Sequence, residues 1–345
     1  MSSWYTSPAP ENDIAVSTRI RLARNLEGLP FPSRMTAAQR EEVNQKVKKA
    51  ILESNTPFAK KLRFIAMKDV PENEIGAMVE RHIISPEFAA DSDGKAIIIS
   101  DDETVCVMIG EEDHIRIQVI LGGFQLEKAY EIANQIDDLL AAGLSYAFDE
   151  QLGFLTECPT NLGTGLRASL MLHLPLLQSS GAIREIADSI QKIGFTVRGM
   201  YGEGSKSLCD FFQISNQITL GITEKNALDN LAVIARQIIE KEREERKKVD
   251  PVKMEDLVYR ALGILENQRL LSSKEMATLV SRIKMGISMG ILPMDQTLPV
   301  RILIETQPNM LCRACGEISA QERDAFRAKK VREMIGKQDN GGNTL

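Results

Sequence analysis

The chain has 345 residues, 43% hydrophobic and 26% charged, a profile that excludes an intrinsically disordered protein and allows two ordinary domains. Its net charge of −6 excludes a global field drawing it onto nucleic acid or an anionic membrane, so any phosphate contact must come from local arginines. MSSWYTSPAPENDIAVS lacks the basic start and apolar core of a signal peptide, no apolar run approaches the ~18 residues of a membrane span, and five scattered cysteines suit a reducing cytoplasm.

In chain order, STRIRLARN (17–25) alternates, with Arg19 and Arg21 on one face and Ile20 and Leu22 on the other, which predicts a strand. KAIIIS (95–100) and VCVMIG (105–110) are two more, split by the polar DDET. GEEDHIRIQVI (110–120) reads as a tight turn feeding a strand that puts Glu112, His114, Arg116 and Gln118 opposite Ile115, Ile117 and Val119. FQLEKAYEIANQIDDLLAAGL has helical spacing. The apolar run after CPTNLGTGLR is predicted to be helical too, as is AIREIADSIQKI, whereas GFTVRGMYGE and FFQISNQITLG read as strands.

LDNLAVIARQIIEKEREERKKVDP (228–251) is a long helix closed by Pro251, and the domain boundary is expected there. Helical patterns follow, with capping boxes at Ser272 with Glu275 and Ser319 with Glu322. Cys312 and Cys315 form a CxxC without a second pair, so buried helix thiols are expected rather than a zinc site. The expectation is an α+β fold: a curved antiparallel sheet flanked by helices over residues 1–250, a small all-α C-terminal domain over 251–335, and a disordered tail over 336–345.

Four charge clusters ask for one explanation: STRIR, EEDHIR, CPTNLGTGLR and RGMYGE. Each lies at a strand end or turn, where side chains can converge. Arginines sharing a strand face with no acid between them repel, and a nucleotide triphosphate relieves that repulsion. For one cluster alone, a surface arginine paired with an acid is an equal reading; four together favour a polyanion site.

STRIRLARNLEGLPFP, GEEDHIRI, CPTNLGTGLRAS and RGMYGEG, in this order, resemble the ATP:guanido phosphotransferases (phosphagen kinases), over about residues 12 to 240. The resemblance implies a curved antiparallel sheet, with ATP and Mg²⁺ held by arginines instead of a glycine-lysine loop. Carried over residue by residue, it implies an ATP site of Ser17, Thr18, Arg19, Ile20, Arg21, His82, Arg116, Arg167, Ala168, Ser169, Leu170, Met171, Arg198, Gly199, Met200, Tyr201, Gly202 and Glu203. It also implies that Glu112 and Glu203 hold the acceptor guanidinium, with Cys158 beside it as an orienting thiolate. A protonated guanidinium has no free lone pair, so a carboxylate must align it and accept its proton. A cysteine near a helix start and arginines should also have a lowered pKa. Gly163 and Gly165 resemble a turn that lets Arg167 meet phosphate at a helix start.

Two departures from the small-guanidine kinases bear on the substrate. Their STRIR segment follows a helical domain of about a hundred residues; here it begins at Ser17, so the pocket is expected to be open to an arginine within a polypeptide. Tyr201 stands where they carry another arginine. In the last helix, Arg323 and Arg327 are four apart with Asp324 beside them, and RDAFRA resembles the phosphoarginine-binding motif of bacterial protein-arginine kinases. That implies an allosteric site of Arg323, Asp324, Arg327 and Ala328. Partners follow by the same resemblance: protein substrates with exposed arginine, a Clp-type protease, a heat-shock repressor, a zinc-finger activator, and a second copy in a homodimer.

Overall fold

The computed structural model describes residues 3–54, 56–200, 207 and 209–339. Among these, eight strands form one antiparallel sheet in the order β2-β3-β4-β5-β1-β8-β10-β9. They are β1 (Ala15–Arg24), β2 (Leu62–Ala66), β3 (Ala96–Ser100), β4 (Val105–Ile109), β5 (Ile115–Gly122), β8 (Leu166–His173), β9 (Phe195–Gly199) and β10 (Phe211–Asn216). β6 (Phe148–Asp149) and β7 (Gly153–Phe154) make a separate small hairpin. The helices before residue 250 are α1 (Ala37–Leu52), α2 (Glu72–Glu80), α3 (Pro86–Ala89), α4 (Leu126–Ala141), α5 (Pro175–Ser179), α6 (Ala182–Gln191) and α7 (Glu224–Lys247). After it come α8 (Pro251–Asn267), α9 (Ser273–Ser288), α10 (Leu298–Glu305), α11 (Pro308–Cys315) and α12 (Ala320–Asp339).

Strand alternation gives the sheet two unlike faces. On one, Ile20, Leu22, Ile117, Val119, Ala168, Leu170, Phe212 and Ile214 join apolar residues of α1, α4, α6 and α7 in a single core. The other face is covered only at its sides. α2 and α3 pack over β3 and β4 through Met78, Phe88, Ile97, Ile99 and Met108. α8, α9, α10 and α12 build a second core that takes in Val16, Ile120 and Phe211 from the sheet. Between these covers a strip of sheet stays open, and the arginines lie along it.

Polar links fix the later helices to the sheet domain. The Glu80 carboxylate accepts hydrogen bonds from the Asn309 and Met310 backbone N–H groups at 2.9 and 2.8 Å, capping the start of α11. Arg313 pairs with Glu74 at 2.7 Å. The Ser281 hydroxyl lies 2.9 Å from His173 Nε2 and donates to the Asp210 carboxylate at 2.5 Å, in the second core.

Four expectations change. Residues 166–173 form a strand, β8, paired with β1 on one side and β10 on the other, and not a helix. Pro251 opens α8 at its first turn, with Asp250 as the cap, so it starts a helix as much as it ends one. Cys315 is exposed and Cys312 half-buried; neither thiol sits in the core. Both capping bonds hold: Ser272 accepts from the Glu275 N–H at 3.2 Å, and Ser319 with Glu322 forms the reciprocal box. α12 continues to Asp339, into the stretch expected to be a tail, and residues 340–345 lie outside the described residues.

Candidate active site

Register explains why arginines meet on the open strip. Arg21 on β1 stands directly opposite Arg167 on β8, and Arg19 opposite Ser169. Ala23 on β1 pairs with Arg116 on β5, and Gln213 on β10 with Arg198 on β9. Like charges directly opposite across strands are unfavourable, and here they are also half-buried. Burial, and then the Arg116 and Arg167 charges, push the Arg19 guanidinium down to about 10. The same causes, with Arg19 added, lower Arg21 well below its ordinary value. Burial and Arg198 lower Arg167. Arg21 Nε is buried with no hydrogen-bond partner. A polyanion would satisfy that unpaired donor and offset the mutual repulsion, and few other ligands would.

The carboxylates stand at one edge of this strip. Glu111 accepts from Arg116 Nη1 and from the Ser85 hydroxyl, the latter at 2.6 Å. Glu112, more exposed, pairs with Arg116 Nη2 at 3.1 Å and accepts from Asn161 Nδ2 at 3.3 Å. A guanidinium on the Glu112 carboxylate is therefore an arrangement this fold already makes. Cys158 Sγ lies 3.1 Å from the Thr160 hydroxyl, and both line one cleft with Glu112, Arg21, Arg116 and Arg167. Asp113 ties the two loops together: its Oδ1 accepts from Asn25 Nδ2 at 2.6 Å and from the Glu157 N–H at 2.9 Å. Burial raises the Asp113 carboxyl.

The glycine turn works by close approach. A Cβ on Gly163 (φ 105°) would lie 2.3 Å from the Thr219 carbonyl oxygen, and one on Gly165 (φ 63°) 2.6 Å from that of Ala23. Both glycines let the loop after Cys158 lie flat on its neighbours and enter β8 at Leu166. Cys158 caps a single 3₁₀ turn, Pro159–Asn161, and Arg167 belongs to a strand, so the expected helix start for these two residues is corrected.

A second cavity adjoins the cleft through Arg198 and Gln213 and reaches His82, Ser17, Ser169 and Met171. His82 adopts φ 63°, its carbonyl held by Gln118 Nε2 at 2.8 Å. Burial and the Arg19 charge lower its imidazole to about 4, so it is neutral at physiological pH.

The matches to known proteins agree with this geometry. The family model for ATP:guanido phosphotransferase, C-terminal catalytic domain, matches residues 42–245, and that for Protein-arginine kinase McsB C-terminal domain matches 251–344. A protein-arginine kinase of Caldanaerobacter subterraneus subsp. tengcongensis is 44% identical, covering 95% of this chain and 99% of that relative. The one from Bacillus subtilis strain 168 is 42% identical, over 99% and 95% respectively. The chain belongs to the protein-arginine kinases, a group of ATP:guanido phosphotransferases. Among solved structures, the duplicated taurocyamine kinase from Schistosoma mansoni with bound transition state analog components aligns with a TM-score of 0.62 and 26% identity, over 80% of this chain and 41% of that one. Lombricine kinase shares the fold, with a TM-score of 0.60 at 24% identity over 70% and 69%.

Within this kinase the expected site residues divide by strand parity. Ser17, Arg19, Arg21, His82, Arg116, Arg167, Ser169, Met171, Arg198, Gly199 and Met200 line one or both of the adjoining cavities. Ile20, Ala168 and Leu170 point to the opposite face and belong to the main core, and the Thr18 hydroxyl is spent on the Gly123 carbonyl at 2.7 Å. The side chains of these four are core and scaffold positions. Tyr201, Gly202 and Glu203 lie outside the described residues. Gln213, which accepts from Arg19 Nη2 at 2.8 Å, Asn161 and Lys95 line the site without having been read from sequence. Only Gln213 carried a signal, its place between Phe212 and Ile214 in an alternating run.

The two arginines of RDAFRA sit in different surroundings. Arg327 is 1% exposed; its Nε donates to the Thr306 carbonyl at 2.9 Å and its Nη1 to the Leu271 carbonyl at 2.7 Å and to Asp324 at 2.5 Å. Ala328 is fully buried, while Arg323 is half-buried on the same helix. Arg327→Ala should therefore cost about 3 kcal/mol of stability even without any ligand, by orphaning two buried carbonyls. Arg323→Ala should stay within about 0.5 kcal/mol. Urea unfolding of the two variants checks this, and equal midpoints would contradict the buried role of Arg327.

Proposed function

We propose that the protein transfers the γ-phosphoryl group of ATP to the guanidino group of arginine residues within polypeptides. The observation that carries this reading is the row of arginines on one open sheet face ending at Glu112 and Cys158. Relatives matched over nearly their whole length and named protein-arginine kinases support the polypeptide acceptor.

Arg21, Arg167 and Arg198 hold the phosphates, and Arg19 the end nearer the base. The Glu112 carboxylate aligns the acceptor guanidinium and takes its departing proton as the N–P bond forms and the bond from phosphorus to the ADP oxygen breaks. The arginines stabilise negative charge on the transferring phosphoryl and on ADP. Mg²⁺ arriving with the nucleotide would supply further charge neutralisation. No group of three or more His, Cys, Asp or Glu side chains that could cage a metal occurs among the described residues, and phosphate oxygens with water suit this ion. Cys158 orients the guanidinium electrostatically, without a covalent intermediate. Glu203 is proposed as the second acceptor-binding acid on sequence alone.

The wider role belongs to the same proposal: phosphoarginine marks clients for a Clp-type protease during stress and can inactivate a heat-shock repressor. A zinc-finger protein would activate the enzyme, phosphoarginine would bind around Arg323 and Asp324, and the working state would be a homodimer in the cytoplasm. The division into a catalytic domain to residue 250 and a helical domain from 251 is part of it. The described residues contain no helix long and apolar enough to cross a membrane.

Incubation with radiolabelled ATP, Mg²⁺ and either casein or free arginine tests the acceptor. Acid-labile label on casein is expected. Label on free arginine alone would replace this reading with a small-guanidine kinase, and absence of label on both would leave a phosphoarginine reader without activity.

A further inference from the structure

The sheet by itself leaves one side of the second cavity open. Strand residues Val16, Ile120, Met171 and Phe211 line it, and four apolar residues distant from the sheet close it: Val300, Leu303 and Ile304 of α10, and Trp4. These four belong to the core shared by α8, α9, α10 and α12, and residues 4 and 300–304 fall outside the segment matched to the catalytic family model.

Trp4 is held in place from three sides. Its indole Nε1 donates to the Arg81 carbonyl at 3.2 Å, and Arg81 is itself fixed by ion pairs with Glu74 at 2.8 Å and Glu103 at 3.0 Å. The ring meets Tyr5 edge-on at 5.4 Å and lies 6.0 Å from the His82 imidazole. A Cβ on Gly122 would come within 2.6 Å of the Trp4 carbonyl oxygen, so glycine there lets the segment lie against β5. α10 is anchored at its far end: Lys330 Nζ donates to the Glu305 carbonyl at 2.7 Å and Arg327 to that of Thr306.

We infer that Trp4 and α10 form the wall that receives the nucleotide base, so that the helices after residue 250 are a structural part of the ATP site. This rests on the ATP reading above and deepens it. The cavity is apolar at the Trp4 end and cationic at the Arg19 and Arg198 end, which fits a ligand with a flat heteroaromatic group joined to an anion. His82 presents a neutral ring at the boundary, able to hydrogen-bond a base without adding charge. Bare polyphosphate engages only the arginines.

Trp4 is the only tryptophan in the chain, so its emission reports on this wall alone. Full-length protein is titrated with Mg·ADP, adenosine and inorganic tripolyphosphate, with affinities measured in parallel by equilibrium dialysis. ADP and adenosine are expected to change the emission saturably, while tripolyphosphate displaces ADP in dialysis and leaves the emission as it was. Trp4→Ala should weaken ADP about 10-fold, from the lost base contact, without weakening tripolyphosphate. It should raise the KM for ATP by the same factor with kcat within about twofold. Trp4→Phe should recover most of the affinity. If Trp4→Ala does not fold, the wild-type titration decides by itself. Retained ADP binding with silent Trp4 emission would overturn this inference and leave the proposed function standing; no ADP retained at all would overturn both.

Discussion

Glu112→Gln is expected to slow phosphoryl transfer to a protein acceptor by about 10³-fold while leaving ATP affinity within about twofold. The substitution keeps the shape of the side chain and removes both the charge that holds a guanidinium and the site that takes its proton. Glu112 is placed for that work by its surroundings. It follows the buried pair of Glu111 with Arg116, and the next residue, Asp113, is tied to the Cys158 loop by the Glu157 N–H. It is the more exposed of the two adjacent acids, with its side chain 41% accessible against 5% for Glu111, so an incoming substrate reaches it first. Glu111→Gln should act differently. It frees Arg116 from its main partner, so the expected loss is in nucleotide affinity and stability rather than in the transfer step. Single-turnover rates at saturating ATP, set beside ADP affinities, separate the two cases. More than about a tenth of wild-type transfer in Glu112→Gln would remove this carboxylate from the proton path.

Arg21→Met should produce two effects of opposite sign. ATP affinity should fall by about 100-fold, because a half-buried guanidinium on the phosphate strip contributes charge-assisted hydrogen bonds worth about 1.5–3 kcal/mol. The free protein, however, should gain about 1 kcal/mol. The reason lies in the register: Arg21 faces Arg167 across the ladder, its Nε has no partner, and burial already disfavours its charged form. Replacing such an ion by an apolar side chain of similar length removes a desolvation cost and a like-charge contact. Urea midpoints with and without ATP give both numbers. At ATP a hundred times the dissociation constant, the wild type should be stabilised by about 2.7 kcal/mol and the variant hardly at all. A variant less stable than wild type in the absence of nucleotide would show that Arg21 supports the fold rather than waits for a ligand.

Reading by period alone succeeded where a strand faces a core on one side and the site on the other. β1 and β5 show it: Ile20 and Leu22 against Arg19 and Arg21, Ile117 and Val119 against Arg116 and Gln118. The same period is present in β8, where Leu166, Ala168, Leu170 and Leu172 alternate with Arg167, Ser169, Met171 and His173. It was masked because the second core covers Met171 and His173 from the other side, so the end of the strand is buried on both faces and its run of Leu170, Met171 and Leu172 imitates a buried helix. Parity also limits what a contiguous motif in a strand can offer, since only every second side chain points into the site.

Local pattern carries the chemistry: the arginines at period two, the acids of EEDH at a turn and the cysteine before a glycine turn are each legible without neighbours. Which of those groups remain free to act is set by packing between distant segments. Arg327 was legible as half of a cationic pair, yet packing of α12 against α10 turned it inward onto two carbonyls. Trp4 was unremarkable in an N-terminal stretch, yet it closes the cavity beside His82. The reason is physical. Alternation and capping depend on residues within a few positions of one another, whereas burial and the pairing of a charge are set by segments tens to hundreds of positions away.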